Sequence, residues 1–224
     1  MFFGDRATAL NDLMASRRAI ISGSVALFFF LWTDNWTPGD IDIYVAVDTY
    51  DHFVCDLERS GFAILDVDMG SWSQSTYHGI RRVRRYVTAA GERLDVIQST
   101  DGNPATPLTS FWSSVVVNFL TPHGAASAFP VHTLDHVALV TNTIESGKLL
   151  AAQDKYKARG FQFVVANGWA PVTQPVGEPG RVISVQPILA VDFASVWSAD
   201  PYTPPLPVRR VGPGWVLTVS PSAF

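Results

Sequence analysis

The chain has 224 residues, of which 47% are hydrophobic and 16% charged, with a formal net charge of -4. A chain of this kind buries a substantial core, as one domain with an appendage or as two small lobes. Its acidic balance excludes a global attraction to nucleic acid or acidic membranes, so any phosphate recognition falls to local Arg and Lys, and its single cysteine, Cys55, excludes an internal disulfide, in keeping with a reducing, cytoplasmic setting.

Residues 5 to 18, "DRATALNDLMASRR", place Ala7, Leu10, Leu13 and Met14 at helical spacing and predict an amphipathic helix. "AIIS" then reads as a short buried strand, Gly23-Ser24 as a tight turn, and "VALFFFLW" as a helix against a sheet. This apolar run follows a basic pair, as in a signal peptide or short anchor. It is short for a membrane span, which needs roughly 20 apolar residues, and Ser22, Gly23 and Ser24 interrupt it, so no membrane association is expected. "TDNWTPGD" is a loop punctuated by Pro38-Gly39. "DIDIYVAV" is a strand with Ile41, Ile43 and Val45 on one face and Asp40, Asp42 and Tyr44 on the other.

"DTYDHFVCDLERSG" predicts a helix with Phe53, Val54 and Leu57 as its apolar stripe and Gly61 as its stop. "FAILDVDMG" reads as a strand, and "GIRRVRRYVTAAGERLDVIQS" as a hairpin whose second arm carries Asp95. The stretches 108–119 and 134–144 are apolar enough for helices, "GKLLAAQDKYKARG" is a stronger helix, and "FQFVVA" resumes strand character. From Ala170 the chain is rich in Pro, yet its apolar runs predict a packed extension. The division expected is a catalytic core over 1–105, a helical lobe over 106–169 and a Pro-rich extension over 170–224.

The chemistry concentrates in a Gly-Ser turn followed by Asp-x-Asp on one strand and another Asp on a later one. Residues two apart on a strand share a face, with Cα atoms roughly 6 to 7 Å apart, so Asp40 and Asp42 can converge on divalent cations. Asp is among the poorer strand formers, and Asp42 lies mid-strand where no turn accounts for it; Asp40, after Pro-Gly, could simply close the turn. A third carboxylate would supply the oxygen ligands that Mg2+ takes. Two such ions, about 3.5 to 4 Å apart, can align a hydroxyl with a phosphorus and stabilise a leaving pyrophosphate. Gly23 permits close backbone approach to a phosphate, and Ser24 with the N–H groups opening the next helix offers donors to it.

The stretch "IISGSVALFFFLWTDNWTPGDIDIYV", residues 20–45, with "RLDVIQ", residues 93–98, resembles the nucleotidyltransferase fold of the DNA polymerase beta superfamily. The resemblance covers roughly the first hundred residues, and the stretch is also similar to a group of fungal proteins with this fold. It implies an α+β fold: a nucleotidyltransferase-like core of a mixed β-sheet flanked by helices, with a smaller helical lobe and the Pro-rich C-terminal extension. It further implies that Gly23 and Ser24 bind a triphosphate, that Asp40 and Asp42 hold two Mg2+ or Mn2+ ions, and that Asp95 holds the catalytic one and helps deprotonate an acceptor hydroxyl. Residues 25–39 separate Ser24 from Asp40, more than the family usually has, so the helix or the loop is extended.

"RRVRR", residues 81–85, is the densest basic cluster, and alternation lets one pair at most face the carboxylates. Arg82 and Arg84 are assigned to the phosphates; the alternative is a solvated hairpin arm. Lys148, Lys155, Lys157 and Arg159 share a helical stretch, and Lys155 is the residue assigned to reach the triphosphate, against a solvated helix face. His132 and His136 lie four apart without the flanking Glu of a zinc helix, so no zinc site is expected. Trp32, Trp36 and Tyr44 lie near the site and either stack on a base or pack in the core. The expected activity is transfer of a nucleoside monophosphate from a nucleoside triphosphate such as ATP to a small-molecule or protein hydroxyl, with no extended nucleic acid as partner. The alternative is a non-catalytic nucleotide- or partner-binding module on the same fold.

Overall fold

A computed structural model describes residues 7–71, 78–140, 147–166 and 189–192. Helix α1 (Ala7–Arg17) buries Leu10 and Met14, one helical turn apart, and leads into strand β1 (Ala19–Ser22), which is buried throughout. Gly23, at φ +66°, swings the chain directly into α2 (Gly23–Phe30). After the loop comes β2 (Asp40–Val45), then α3 (Tyr50–Arg59), whose buried Tyr50, Phe53, Val54 and Leu57 follow the helical period. Strands β3 (Ala63–Ser71), β4 (Ile80–Thr88) and β5 (Arg93–Ser99) complete the first half. Gly91, at φ +79°, turns the β4–β5 hairpin as its sequence anticipates.

Strands β6 (Asn118–Thr121), β7 (Gly124–Ser127) and β10 (Leu189–Asp192) join the same mixed sheet, in the order β10-β7-β6-β1-β2-β5-β4-β3. Within it β2 and β5 run parallel and every other pair is antiparallel. Strands β8 (Val137–Val140) and β9 (Gln162–Val165) form a separate parallel pair, and α5 (Gly147–Lys157) connects with them in sequence. The expected α+β architecture, a mixed sheet flanked by helices, is the one observed.

Two hydrophobic cores lie on opposite sides of the sheet. Ile41, Ile43, Val45, Leu94 and Val96 pack against α1 and α3, whereas Tyr44 and Ile97 pack with Leu27 of α2, with Leu31 just past its end, and with Leu108, Phe111, Val115 and Phe129. The alternation in β2 and β5 therefore sends Asp40, Asp42 and Asp95 to the α2 side.

Two expected helices form differently. Residues 108–119 make 3-10 turns at Thr106–Ser110 and Ser114–Val116 before entering β6. Pro107 opens the first turn, Ser113 caps the second by accepting locally from the Val115 N–H at 3.4 Å, and Ser114 Oγ is drawn away to the distant Leu139 N–H, from which it accepts at 2.9 Å. The three valines that follow, Val115–Val117, are β-branched and poor helix formers, and the strand β6 begins only after them. In place of a helix over 134–144, the short α4 (Pro130–Leu134) ends, His136 reverses the chain at φ +54°, and "VALV" becomes β8. Residues 141–146 lie outside the described residues, as does the expected packed extension over 170–224 apart from Leu189–Asp192, which pairs with β7.

Candidate active site

The parallel register places Asp42 beside Asp95 and Asp40 beside Arg93. In the antiparallel β4–β5 hairpin Arg85 lies opposite Asp95. Side chains directly opposite share a face, so three carboxylates and two guanidinium groups crowd one patch of the sheet at the start of α2.

The φ of +66° at Gly23 suits glycine, and a Cβ added at this position would sit 2.3 Å from Asp42 Oδ2. The Asp42 carboxylate thus lies flush against the turn that opens α2. Ser24, buried behind it, donates from Oγ to Asp40 Oδ1 at 3.4 Å.

The three carboxylates differ in their partners. Asp95 is buried and accepts a two-pronged bond from Arg85, Nε to Oδ1 at 2.9 Å and Nη2 to Oδ2 at 3.2 Å. Asp40 accepts from Arg93 Nη2 at 2.6 Å, and the same nitrogen stands 3.4 Å from Asp95 Oδ2. Lys155 Nζ approaches Asp40 Oδ1 to 4.0 Å. Asp42 has no ion pair among the described residues. Burial of its carboxyl, reinforced by the negative charges of Asp40 and Asp95, pushes its pKa from 3.8 up to about 7, against the opposing pull of Arg93 and Lys155.

Three aspartates fit a hard divalent cation in donor type and in facing direction. As they stand, however, no three His, Cys, Asp or Glu side chains among the described residues converge as a metal cage. Asp40 and Asp95 are turned onto arginines instead.

Of the basic residues singled out in the sequence, Lys155 reaches the patch and Arg82 and Arg84 do not. Both arginines project to the α3 side of the sheet. Arg82 donates from Nε to Asp68 Oδ1 at 3.2 Å, Arg84 from Nε to Asp68 Oδ2 at 3.1 Å, and Arg84 Nη1 lies 4.0 Å from Glu58 Oε1. Strand parity makes the correction: Arg85, one residue on, takes the site face. Arg93 was legible by the same rule, since Arg93-x-Asp95 repeats the spacing of Asp40-x-Asp42.

Arg159 is a further site residue, four positions after Lys155. Its guanidinium lies 4.0 Å over the Trp36 ring and 5.2 Å over that of Tyr156. Its Nη1 is buried without a hydrogen-bond acceptor among the described residues, and burial draws its pKa below the ordinary arginine value, opposed by Tyr156 and Asp40. Arg159 therefore covers the Trp36 face that a base would stack on, and Tyr44 is buried against Phe111 with ring centroids 6.0 Å apart. Trp32 remains exposed. Asp34 ties the loop before Asp40 to the second half of the chain, accepting from Trp36 Nε1 at 3.1 Å and standing 2.8 Å from His136 Nε2.

No family model matches the sequence, and neither does any curated protein. Among solved structures, the chain is similar to the apo form I of a CCA-adding enzyme, with a TM-score of 0.51 and 13% identity over 70% of this chain and 39% of that one. It is also similar to a CCA-adding enzyme in complex with CTP, with a TM-score of 0.49 and 11% identity over 70% of this chain and 40% of that one. The chain thus spans about two fifths of the length of these neighbours. CCA-adding enzymes are nucleotidyltransferases of the polymerase β-like fold, and the first of these likenesses shows that fold here.

Proposed function

We propose that the protein is a metal-dependent nucleotidyltransferase that moves a nucleoside monophosphate from a nucleoside triphosphate to a hydroxyl of a small molecule or protein, releasing pyrophosphate. The observation that carries this reading is the placement of Asp40, Asp42 and Asp95 side by side on one face of β2 and β5, with Asp42 against the glycine turn that opens α2. Asp40, Asp42 and Asp95 would hold one or two Mg2+ or Mn2+ ions. When bound, a divalent cation neutralises such carboxylates and polarises phosphate and hydroxyl oxygens.

The chain's own residues divide the remaining work. Gly23 lets a phosphate approach the backbone, and Ser24 supplies a hydroxyl donor behind it. Lys155 and Arg159, one helical turn apart, offer positive charge to the outer phosphates and to the departing pyrophosphate. Asp95, oriented by the Arg85 fork, receives the hydrogen bond of the acceptor hydroxyl. The net charge of -4 and the confinement of the site cations to one patch favour a compact acceptor over a long nucleic acid. No helix among the described residues is long and apolar enough to cross a membrane.

The arginine-held carboxylates favour a second reading, a module on the same fold that binds a nucleotide or partner without chemistry. Incubation with each alpha-labelled nucleoside triphosphate, with Mg2+ or Mn2+, discriminates the two. Pyrophosphate release that is lost in Asp42→Asn supports the transferase. Nucleotide binding without release in either metal would overturn it in favour of the module.

A further inference from the structure

We propose that Arg93 is the counter-ion a divalent cation must displace from the aspartate cluster, so that the site takes up metal weakly alone and strongly together with a polyphosphate. This rests on the functional reading above and concerns how the same site is loaded.

Arg93 and Arg85 hold their carboxylates in different ways. Arg85 grips Asp95 alone, with two nitrogens on two oxygens, and fixes its orientation. Arg93 uses one nitrogen, Nη2, to bridge carboxylates from two strands, 2.6 Å from Asp40 Oδ2 and 3.4 Å from Asp95 Oδ2. While both carboxylates stay paired to that nitrogen, Asp40 and Asp95 are not free to turn and share an ion with Asp42. A cation and the guanidinium cannot both pair with these carboxylates, because like charges so close repel strongly outside bulk water.

The Arg93 side chain is also built to leave. It is 45% exposed, so releasing it to solvent costs little. Asp40 and Asp95 are its only ion-pair partners among the described residues, and once a cation takes them the freed fork has none. A polyphosphate supplies one, since guanidinium matches phosphate oxygens in pairs. Metal and polyphosphate thus each make room for the other, which is a positive coupling between two ligands.

The test measures Mn2+ binding to the full chain by the loss of its free-ion EPR signal, without nucleotide, in the natural protein and in Arg93→Gln, Arg82→Gln and Asp42→Asn. Arg93→Gln is expected to bind Mn2+ about tenfold tighter, within the usual range of couplings. Arg82→Gln, which removes the same charge on the other face of the sheet, is expected to leave affinity unchanged. Equilibrium dialysis of a non-hydrolysable nucleoside triphosphate analogue should show Mn2+ strengthening its binding less in Arg93→Gln than in the natural protein. Arg93→Met, which keeps the aliphatic stem, reads the same quantities if the glutamine variant misfolds. Unchanged or weaker Mn2+ binding in the Arg93 variants, or an equal gain in Arg82→Gln, overturns the proposal while leaving an Asp42-dependent metal site intact. Absence of Mn2+ binding in every variant and in the natural protein overturns the metal-dependent reading, and this inference with it.

Discussion

Replacing Asp42 by Asn should stabilise the fold at neutral pH while abolishing turnover. In the folded chain the Asp42 carboxyl holds its proton up to about pH 7, whereas its ordinary pKa is 3.8. Between those values the folded state binds one more proton than the unfolded state, so stability falls as pH rises from about 4 to about 7 and then levels off. The full displacement corresponds to at most about 4 kcal/mol, and the partial exposure of the residue reduces this to roughly 2 kcal/mol. Asn keeps the shape and cannot ionise, so the variant should lack this decline and be more stable than the natural protein by about 2 kcal/mol at pH 8 without metal.

The assay is urea unfolding at pH 5 and pH 8, in chelator. Asp68 does not interfere, because hydrogen bonding to Arg82 lowers its pKa, and the stability it contributes is lost only as pH falls below the ordinary carboxylate range. Parallel pH dependence in the natural protein and Asp42→Asn would refute the argument that burial and the neighbouring carboxylates make this aspartate an energetic burden.

Gly23→Ala should cost about 2 to 4 kcal/mol, from the left-handed backbone and the clash with Asp42 Oδ2, and should eliminate turnover; urea midpoints with turnover measurements check both. Arg159→Met keeps its packing on Trp36 and Tyr156 and should weaken nucleoside triphosphate binding about tenfold, a loss of about 1.4 kcal/mol, without moving the thermal midpoint. Arg84→Met should do the reverse, leaving nucleotide affinity unchanged and lowering stability by about 1 kcal/mol through loss of its Asp68 contact. Asp34→Ala, which strands the Trp36 N–H and the His136 ring, should cost about 1 to 3 kcal/mol by urea denaturation.

The first half of the fold was legible because its signals are local. Leu10 with Met14, and Phe53, Val54 and Leu57, repeat at the helical period, and "DIDIYV" alternates apolar and acidic residues at the strand period. The second half was less so, because apolar runs such as "SVVVNFL" carry no period that separates a buried strand from a helix. Long-range pairing decided those runs: β6 found β1, and β8 found β9 across the whole of α5. The positive φ at His136 was hard to foresee, since histidine is enriched at such positions but adopts them only occasionally.

In the site, the sequence held the faces but not the register. Alternation alone established that Arg82 and Arg84 share one face and Arg85 the other, yet choosing between them required knowing that Arg85 stands opposite Asp95. The same pairing explains why the cluster is balanced. Asp40, Asp42 and Asp95 bring three acidic groups to one face, while Arg85 and Arg93 are placed by strand register and Lys155 and Arg159 by one face of the segment around α5. Asp42, the acid left without an ion pair among the described residues, has its pKa raised, first by burial and then by Asp40 and Asp95. A site with this arrangement is stable enough to fold and unsatisfied at one point, and that point is where an added cation would gain the most.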